Sequence, residues 1–417
     1  MQRFSFLQLL RQSFRNHEGW EPQWRAASPK AAYDVVIVGG GGHGLATAYY
    51  LASEHGLRNI AVVEKGWIGG GNTGRNTTIV RSNYLFEESE ALFEHSMKLW
   101  EGLSQALNYN VMYSPRGVLV LAHNTTDAQV IRRHVHANRL AGIDNEWMTP
   151  EQAKDFCPIL DISRNVRYPI VGASLQRRGG TARHDAVAWG YARAASALGV
   201  DIIENCEVTA IRRDAGGGVQ GLETTRGEIA TRKIGLVTAG HTSVVAAMAG
   251  LRLPMESYPL QALVSEPVKP VMPCVVMSNS IHAYMSQSDK GELVIGAGTD
   301  AYTSYSQRGA LHVAQHTLDA LCELFPIVRR LRMLRSWGGI VDVTPDRSPI
   351  IGKSPVEGLF LNCGWGTGGF KATPGSGHLF AHTLAKNEAH PIVAPFGLDR
   401  FRTGALVDES TAAAVAH

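Results

Sequence analysis

Residues 34–65 read DVVIVGGGGHGLATAYYLASEHGLRNIAVVEK, and this stretch decides the fold. An apolar strand leads into a glycine turn and a helix, and a second apolar strand then ends at Glu64. Gly39, Gly41 and Gly44 have the G-x-G-x-x-G spacing, which permits a tight turn and lets the backbone approach a pyrophosphate. The helix N-terminus points at the phosphates, and Glu64 can accept hydrogen bonds from a ribose. The stretch therefore predicts a binding unit for an adenine dinucleotide.

Composition sets the broad class of the protein. The chain has 417 residues, 44% of them hydrophobic and 18% charged, which is typical of a globular protein with two domains. The net charge of +3 gives no support to nucleic-acid binding. No apolar run approaches the ~20 residues that span a bilayer, and the apolar start of the chain is too short for a signal peptide. We therefore expect neither a nucleic-acid nor a membrane partner.

The number and spacing of the cysteines indicate the cellular compartment. There are five, an odd number, with wide spacings and no C-x-x-C pair. This pattern argues against structural zinc and against a disulfide framework, and it favours a reducing, cytoplasmic location. We expect no metal site.

The alternation of elements predicts the organisation. Strands and helices alternate at both ends of the chain, whereas the middle is richer in strands. This predicts an α/β fold in which a Rossmann-like dinucleotide domain is interleaved with an α+β substrate domain built on a mixed sheet. The expected parts are a tail (1–32), the dinucleotide domain (33–112, 173–250 and 340–417) and the substrate domain (113–172 and 251–339).

Two local expectations concern the ends of the chain. A helix should begin near Gly375. In the tail, Phe6, Leu10 and Phe14 fall on one helical stripe, which is typical either of a surface helix or flexible tail or of a partner-binding arm.

Further glycine segments indicate which dinucleotide binds. Glu64 alone fits either NAD or FAD. A glycine–Asn–Thr loop follows at 66–83, a strand ends in Thr-Ala-Gly at 238–240, and another glycine segment lies at 364–369. Several close backbone approaches far apart in sequence suit a long cofactor buried along its whole length. The segments therefore favour FAD.

Three of these segments carry a family resemblance: the fingerprint at 39–64, GRNTTIVRSNY at 74–84 and GWGTGGFK at 364–371. They resemble the amine-oxidising flavoproteins of the D-amino-acid oxidase and sarcosine oxidase family, in particular the β subunits of its heterotetrameric members. The resemblance runs from about Tyr33 to the end of the chain and includes the segments 183–185 and 337–342.

The resemblance implies two flavins, a non-covalent FAD and a covalent FMN carried by His184. Val341 stands where single-flavin relatives carry the cysteine that tethers FAD. The FAD-binding residues by motif are Gly39, Gly41, Gly42, His43, Gly44, Glu64, Asn72, Thr73, Arg75, Thr77, Ile79, Val208, Gly366, Gly369 and Lys371.

Arg81 and Lys371 are the candidate catalytic residues. An arginine offers a bidentate fork to a substrate carboxylate, and a lysine beside the flavin helps to stabilise its reduced, anionic form. His184 precedes a helix, whose positive end favours the neutral imidazole needed for covalent attachment. Nearby arginines (177, 178 and 183) are candidates for holding a phosphate or the anionic flavin. Tyr284, with His282, is a candidate for facing the substrate, or else an ordinary strand residue; no catalytic base is assigned.

The family resemblance also implies a reaction and partners. Sarcosine would be oxidised at FAD, electrons would pass to FMN and then to O2, and the products would be H2O2, glycine and either formaldehyde or methylene-tetrahydrofolate. The partners would be α, γ and δ subunits, with NAD and tetrahydrofolate bound on a partner subunit. The alternatives are a dimethylglycine or proline dehydrogenase that passes electrons to a carrier, and a flavoprotein-like scaffold without a substrate.

Overall fold

The computed structural model describes residues 5–20 and 22–407. The first residues of the expected tail and the last ten of the expected dinucleotide domain lie outside these ranges. No helix in the described ranges is both long enough and apolar enough to cross a membrane.

The helices and strands are numbered here in chain order. The α-helices are α1 Phe6–Phe14, α2 Gly42–Ser53, α3 Glu87–Ala106, α4 Thr125–Leu140, α5 Pro150–Phe156, α6 His184–Ala197, α7 Thr242–Ala247, α8 Leu311–Leu324, α9 Gly369–Lys386 and α10 Arg400–Thr403. The strands are β1 Val35–Val38, β2 Ile60–Val63, β3 Ile79–Val80, β4 Val118–Ala122, β5 Glu146–Met148, β6 Gly172–Gln176, β7 Gly180–Thr181, β8 Asp201–Ile203, β9 Val208–Arg213, β10 Val219–Thr224, β11 Gly227–Ala230, β12 Ile234–Leu236, β13 Glu256–Pro267, β14 Val275–Ser278, β15 Ala283–Gln287, β16 Glu292–Thr299, β17 Met333–Val343, β18 Ile350–Lys353 and β19 Leu359–Cys363.

A mainly parallel sheet forms the centre of the dinucleotide domain. Its strand order is β18-β19-β12-β1-β2-β8, and only the edge strand β18 runs antiparallel to its neighbour. Strands β1 and β2 are buried throughout because both faces of the sheet are covered. Val35 and Ile37 pack under α2, α3, α6 and α9, whereas Val36 and Val38 pack on the small sheet β9–β11. This is the predicted Rossmann-like arrangement.

A second sheet carries the other domain. Its strand order is β17-β13-β16-β15-β14-β4-β6-β5, and the parallel pair β14–β4 makes it a mixed sheet. Helices α5 and α8 cover one face with an apolar core around Leu263, Met285 and Phe325. The α/β fold with an interleaved α+β domain is therefore confirmed, while the individual domain boundaries stay predictions.

The expected start of the last long helix was wrong. Helix α9 begins at Gly369, and Pro374 lies inside it. A proline removes one backbone N–H from the helical ladder. Ser96 Oγ (2.7 Å) and Trp100 Nε1 (2.8 Å) donate to the carbonyl of Lys371, and Gly375 N–H donates to Ser96 Oγ (3.2 Å). Side chains of α3 thus satisfy the interrupted turn, which sequence alone did not reveal.

Candidate functional site

A cavity of about 630 Å³ lies where the carboxyl ends of β1, β2 and β12 meet β13, β15 and β17 of the second sheet. This is the position where open parallel sheets bind ligands. The predicted residues that line it are Gly39, Gly41, Gly42, His43, Glu64, Asn72, Thr73, Arg75, Thr77, Ile79, Arg81, Val208, Gly366, Gly369 and Lys371. Gly44 and His184 do not line it. Residues from four distant parts of the sequence therefore meet in one cavity.

The glycine turn leaves no room for side chains. Gly39 has φ +117°, and a Cβ at Gly44 would lie 2.0 Å from the carbonyl oxygen of Gly39. Gly44 thus acts by close helix–strand packing rather than at the cavity wall. A Cβ at Gly42 would lie 3.0 Å from Thr373. The turn fits a dinucleotide because its bare backbone can be approached closely at the start of α2.

Glu64 is held at the end of β2. Its carboxylate accepts hydrogen bonds from the N–H groups of Gly40 (2.8 Å) and Gly66 (2.9 Å). These bonds fix the carboxylate at the cavity wall, where it can face a ribose.

The loop after β2 is fastened to β17. Asn72 donates to the carbonyl of Ile340 and accepts from its N–H (2.8 Å). Trp337 Nε1 donates to the carbonyl of Arg75 at 2.8 Å. The buried Val341 follows on the same strand and also lines the cavity. The two domains therefore share one wall of the site.

His43 links α2 to α9 as a neutral imidazole. Its Nε2 lies 2.7 Å from the carbonyl of Gly369, and its Nδ1 lies 2.7 Å from Ser376 Oγ. Because a carbonyl only accepts, Nε2 carries the proton and Nδ1 accepts from the hydroxyl. Burial lowers the pKa of His43 to about 4. His43 is therefore a neutral positioning group at neutral pH.

Arg81 and Lys371 bring two basic groups to the same buried cavity. Arg81 donates to the carbonyl (3.2 Å) and the side-chain oxygen (2.9 Å) of Asn83, and its guanidinium lies 4.4 Å from the ring centre of Tyr84. Lys371 Nζ donates to the carbonyl of Thr367 at 3.0 Å. Burial first, and the charge of Arg81 second, lower the pKa of Lys371 well below its usual value. A bound anion would relieve both effects, so the pair favours a carboxylate.

Tyr284 also reaches the cavity. Its hydroxyl accepts a hydrogen bond from Thr77 Oγ1 at 3.0 Å, and its ring lies across Gly296 of the neighbouring strand. His282 precedes the strand and does not line the cavity. Tyr284 is therefore the member of this candidate pair that faces the site.

Asp342 is a cavity residue to which sequence reasoning gave no role. It is buried at the end of β17 and accepts from the N–H of Gly364 at 2.5 Å. Burial raises the pKa of this carboxyl to about 7, although its backbone hydrogen bonds act in the opposite direction. The segment 337–342 had been singled out only by resemblance, and no spacing rule links position 342 to the loop at 364. Asp342 holds that loop against the cavity.

His184 is the first residue of α6 and lies outside the cavity. Burial is the main cause that lowers its pKa, and within the described chain its Nδ1 is buried without a hydrogen-bond partner. The segment before it pairs with the cavity loop, since β7 runs antiparallel to β3 and Ala182 N–H donates to the carbonyl of Thr78 at 3.1 Å. A neutral imidazole with one unsatisfied nitrogen fits a covalent attachment point close to the cavity wall.

The three arginines near His184 are already paired. Arg177 contacts Glu146 (2.6 Å), and Arg178 contacts Glu94 and Glu101 (both 2.7 Å). Arg183 contacts Asp185 (2.8 Å) and Asp289 (3.1 Å). Each positive charge therefore has a carboxylate neighbour, which weakens the hypothesis that these arginines hold a phosphate.

Comparison with known proteins shows the family to which the chain belongs. The family described as "FAD dependent oxidoreductase" matches residues 34–383, so the chain belongs to this family. The solved structure of L-proline dehydrogenase from P. horikoshii covers 91% of this chain and 100% of its own, with 26% identity and a TM-score of 0.83.

Two relatives narrow the class. The sarcosine oxidase subunit beta of Rhodobacter capsulatus is 57% identical over 417 residues and covers 100% of both chains. That of Arthrobacter sp is 58% identical over 394 residues, which is 94% of this chain and 97% of the relative. Within the FAD-dependent oxidoreductases, the chain is therefore a member of the sarcosine oxidase β-subunit group. It belongs to the flavin-dependent oxidoreductases that act on CH–NH bonds.

Proposed function

We propose that this chain is the β subunit of a hetero-oligomeric sarcosine oxidase. The observation that carries the proposal is the meeting of Arg81 and Lys371 in the cavity beside the glycine turn. Two buried basic groups select a small carboxylate substrate, and the similarity to chains named sarcosine oxidase subunit beta supports sarcosine as that substrate.

The residues of the chain orient the substrate. Arg81 and Lys371 hold the carboxylate and so fix one end of the substrate in the cavity. Tyr284, fixed by Thr77, limits the space on the side of the second sheet. Oxidation of a neutral amine depends more on this orientation than on a base, and we assign no catalytic base.

The chain would hold two flavins. The FAD would be non-covalent, because Val341 stands where single-flavin relatives carry the cysteine that tethers it, and the FMN would be covalently bound through His184. The residues lining the cavity would hold FAD, which would supply hydride acceptance from sarcosine, and His184 would hold FMN, which would supply electron transfer to O2 with formation of H2O2. His43, uncharged at neutral pH, keeps α2 and α9 together at the FAD wall.

The complete reaction requires further subunits. The other products would be glycine and either formaldehyde or methylene-tetrahydrofolate. We propose α, γ and δ subunits as partners, with tetrahydrofolate and NAD bound on one of them. The five free cysteines suit a cytoplasmic assembly.

The flavin content of the purified assembly tests this proposal. After acid precipitation, FAD should appear in the supernatant and FMN should stay on the β chain. Sarcosine should then drive O2 uptake with formation of H2O2. A colourless precipitated β chain would contradict the attachment at His184.

A dehydrogenase for proline or dimethylglycine is the second candidate. The similarity to the P. horikoshii L-proline dehydrogenase favours it. An oxygen electrode separates the two functions, since fast dye reduction without peroxide would favour the dehydrogenase.

A further inference from the structure

Helix α1 is amphipathic, but its apolar face is turned away from the protein. Its large apolar side chains are exposed: Phe6 75%, Leu7 74%, Leu9 52%, Leu10 42% and Phe14 82%. The one buried residue of the helix is the polar Gln12. A surface helix of a globular protein shows the opposite arrangement, with its apolar stripe on the core. The apolar face of α1 is therefore built to contact something other than the body of this chain.

Residues 25–33, further along the chain than α1, are attached to the body of the protein. Arg25 and Lys30 both form ion pairs with Asp201, the latter at 2.7 Å, and Tyr33 donates to the same carboxylate at 3.0 Å. Ala26 pairs with Ile202 of the edge strand β8. These contacts fix residues 25–33 along the sheet edge, and α1, which ends at Phe14, precedes this fixed segment in the chain.

The position of α1 in the sequence indicates what kind of partner covers it. The family match begins at residue 34, whereas the relative named as a subunit matches this chain over its whole length, α1 included. Large exposed apolar patches with a polar rim mark protein interaction sites. Helix α1 thus lies in the part of the chain that precedes the common flavin-binding fold.

The charge around α1 distinguishes between two possible partners for its apolar face, a second copy of this chain and a different protein. Residues 5–17 contain Arg11 and Arg15 but no acidic residue. Contact between two copies of α1 across a twofold axis would bring these like charges together. A different protein chain with an apolar groove and acidic residues at its rim would complement both the stripe and the charges.

We infer that α1 docks by Phe6, Leu10 and Phe14 into an apolar, acid-rimmed groove of a non-identical subunit of the assembly. This inference rests on the hetero-oligomer of the proposed function. Helix α1 then acts as a tether between this chain and the partner subunit.

Cysteine protection in the purified hetero-oligomer tests the inference. Leu10→Cys is compared with Gln8→Cys on the other face of α1, and wild type gives the background from the five natural cysteines. We expect Leu10→Cys to react with a maleimide at least tenfold more slowly in the assembly than in the isolated chain. Gln8→Cys should change far less.

A charge substitution gives an independent measurement. Leu10→Glu should weaken assembly with the partner subunits at least tenfold in sedimentation experiments, while Gln8→Glu assembles like wild type. Both variants should keep FAD and its bleaching by sarcosine in the isolated chain.

Four results would overturn the inference. Equal reactivity of Leu10→Cys in the isolated chain and in an intact assembly would refute the docking of α1 but not the proposed hetero-oligomer. Protection on raising the concentration of the isolated chain would identify a second copy as the occupant. Protection by phosphatidylglycerol–phosphatidylcholine vesicles would identify a lipid surface. A wild-type chain that forms no hetero-oligomer would refute both the inference and the proposed assembly.

Discussion

Replacing Lys371 by methionine should remove one of the two positive charges that select the substrate carboxylate. Lys371 is only 8% exposed, and its hydrogen bond goes to the neutral carbonyl of Thr367. Its pKa is lowered in the free cavity by burial and by Arg81, and a substrate carboxylate would favour its protonated form. Methionine has a similar shape but cannot donate.

The expected magnitude follows from the bond that is lost. A hydrogen bond between charged groups contributes about 1.5–3 kcal/mol, so kcat/KM for sarcosine should fall by about 10- to 150-fold. The assay measures peroxide formation, together with the dissociation constant of acetate from the change in the flavin spectrum. Acetate binding should weaken in parallel, because it reports on the carboxylate contact without turnover.

A matched control separates the loss of the carboxylate contact from the general effect of replacing a lysine by methionine. Lys353 is exposed on β18 and does not line the cavity, so Lys353→Met should behave like wild type. If Lys371→Met kept its FAD and stayed within twofold of wild type in both assays, Lys371 would not bind the carboxylate.

The other predictions concern stability and flavin attachment. Burial raises the pKa of Asp342 from 3.8 to about 7, so the unfolded chain binds fewer protons between these values and stability falls as pH rises through them. In Asp342→Asn, the free energy of unfolding should fall by up to about 4 kcal/mol less over this pH range than in wild type. Urea unfolding at a series of pH values measures this difference, and an unchanged pH dependence would refute the burial argument. Gly44→Ala should destabilise by about 1–3 kcal/mol and weaken FAD binding, because its Cβ would meet Gly39. Gly102→Ala, in an open part of α3, should stabilise by about 0.5–1 kcal/mol; equal melting temperatures for the two variants would contradict the packing argument. His184→Ala should leave the precipitated chain without flavin but keep its soluble FAD, and a retained protein-bound flavin would move the attachment elsewhere.

Local patterns predicted the dinucleotide half of the site. The apolar strands β1 and β2, the glycine spacing and Glu64 lie within about thirty residues, and each follows from short-range geometry. The Thr-Ala-Gly and glycine segments were also assigned to the same cofactor, because several close backbone approaches far apart in sequence suit a long buried dinucleotide. The wider resemblance then added Arg81, Lys371 and His184 to the candidate residues.

Features that depend on contacts distant in sequence were not predictable. Helix α9 passes through Pro374 because Ser96 and Trp100 supply hydrogen bonds from another helix. Asp342 gains its role from a loop more than twenty residues further along the chain, which it meets only after folding. The arginines near His184 looked free in sequence, but carboxylates from several other elements neutralise them.

The most direct test of the central claim is anaerobic mixing of the FAD-containing chain with sarcosine. If the cavity oxidises sarcosine, the visible flavin absorbance should bleach without partner subunits, and Lys371→Met should bleach only at much higher sarcosine concentration. An unchanged flavin spectrum with sarcosine, accompanied by bleaching with proline or dimethylglycine, would contradict the account.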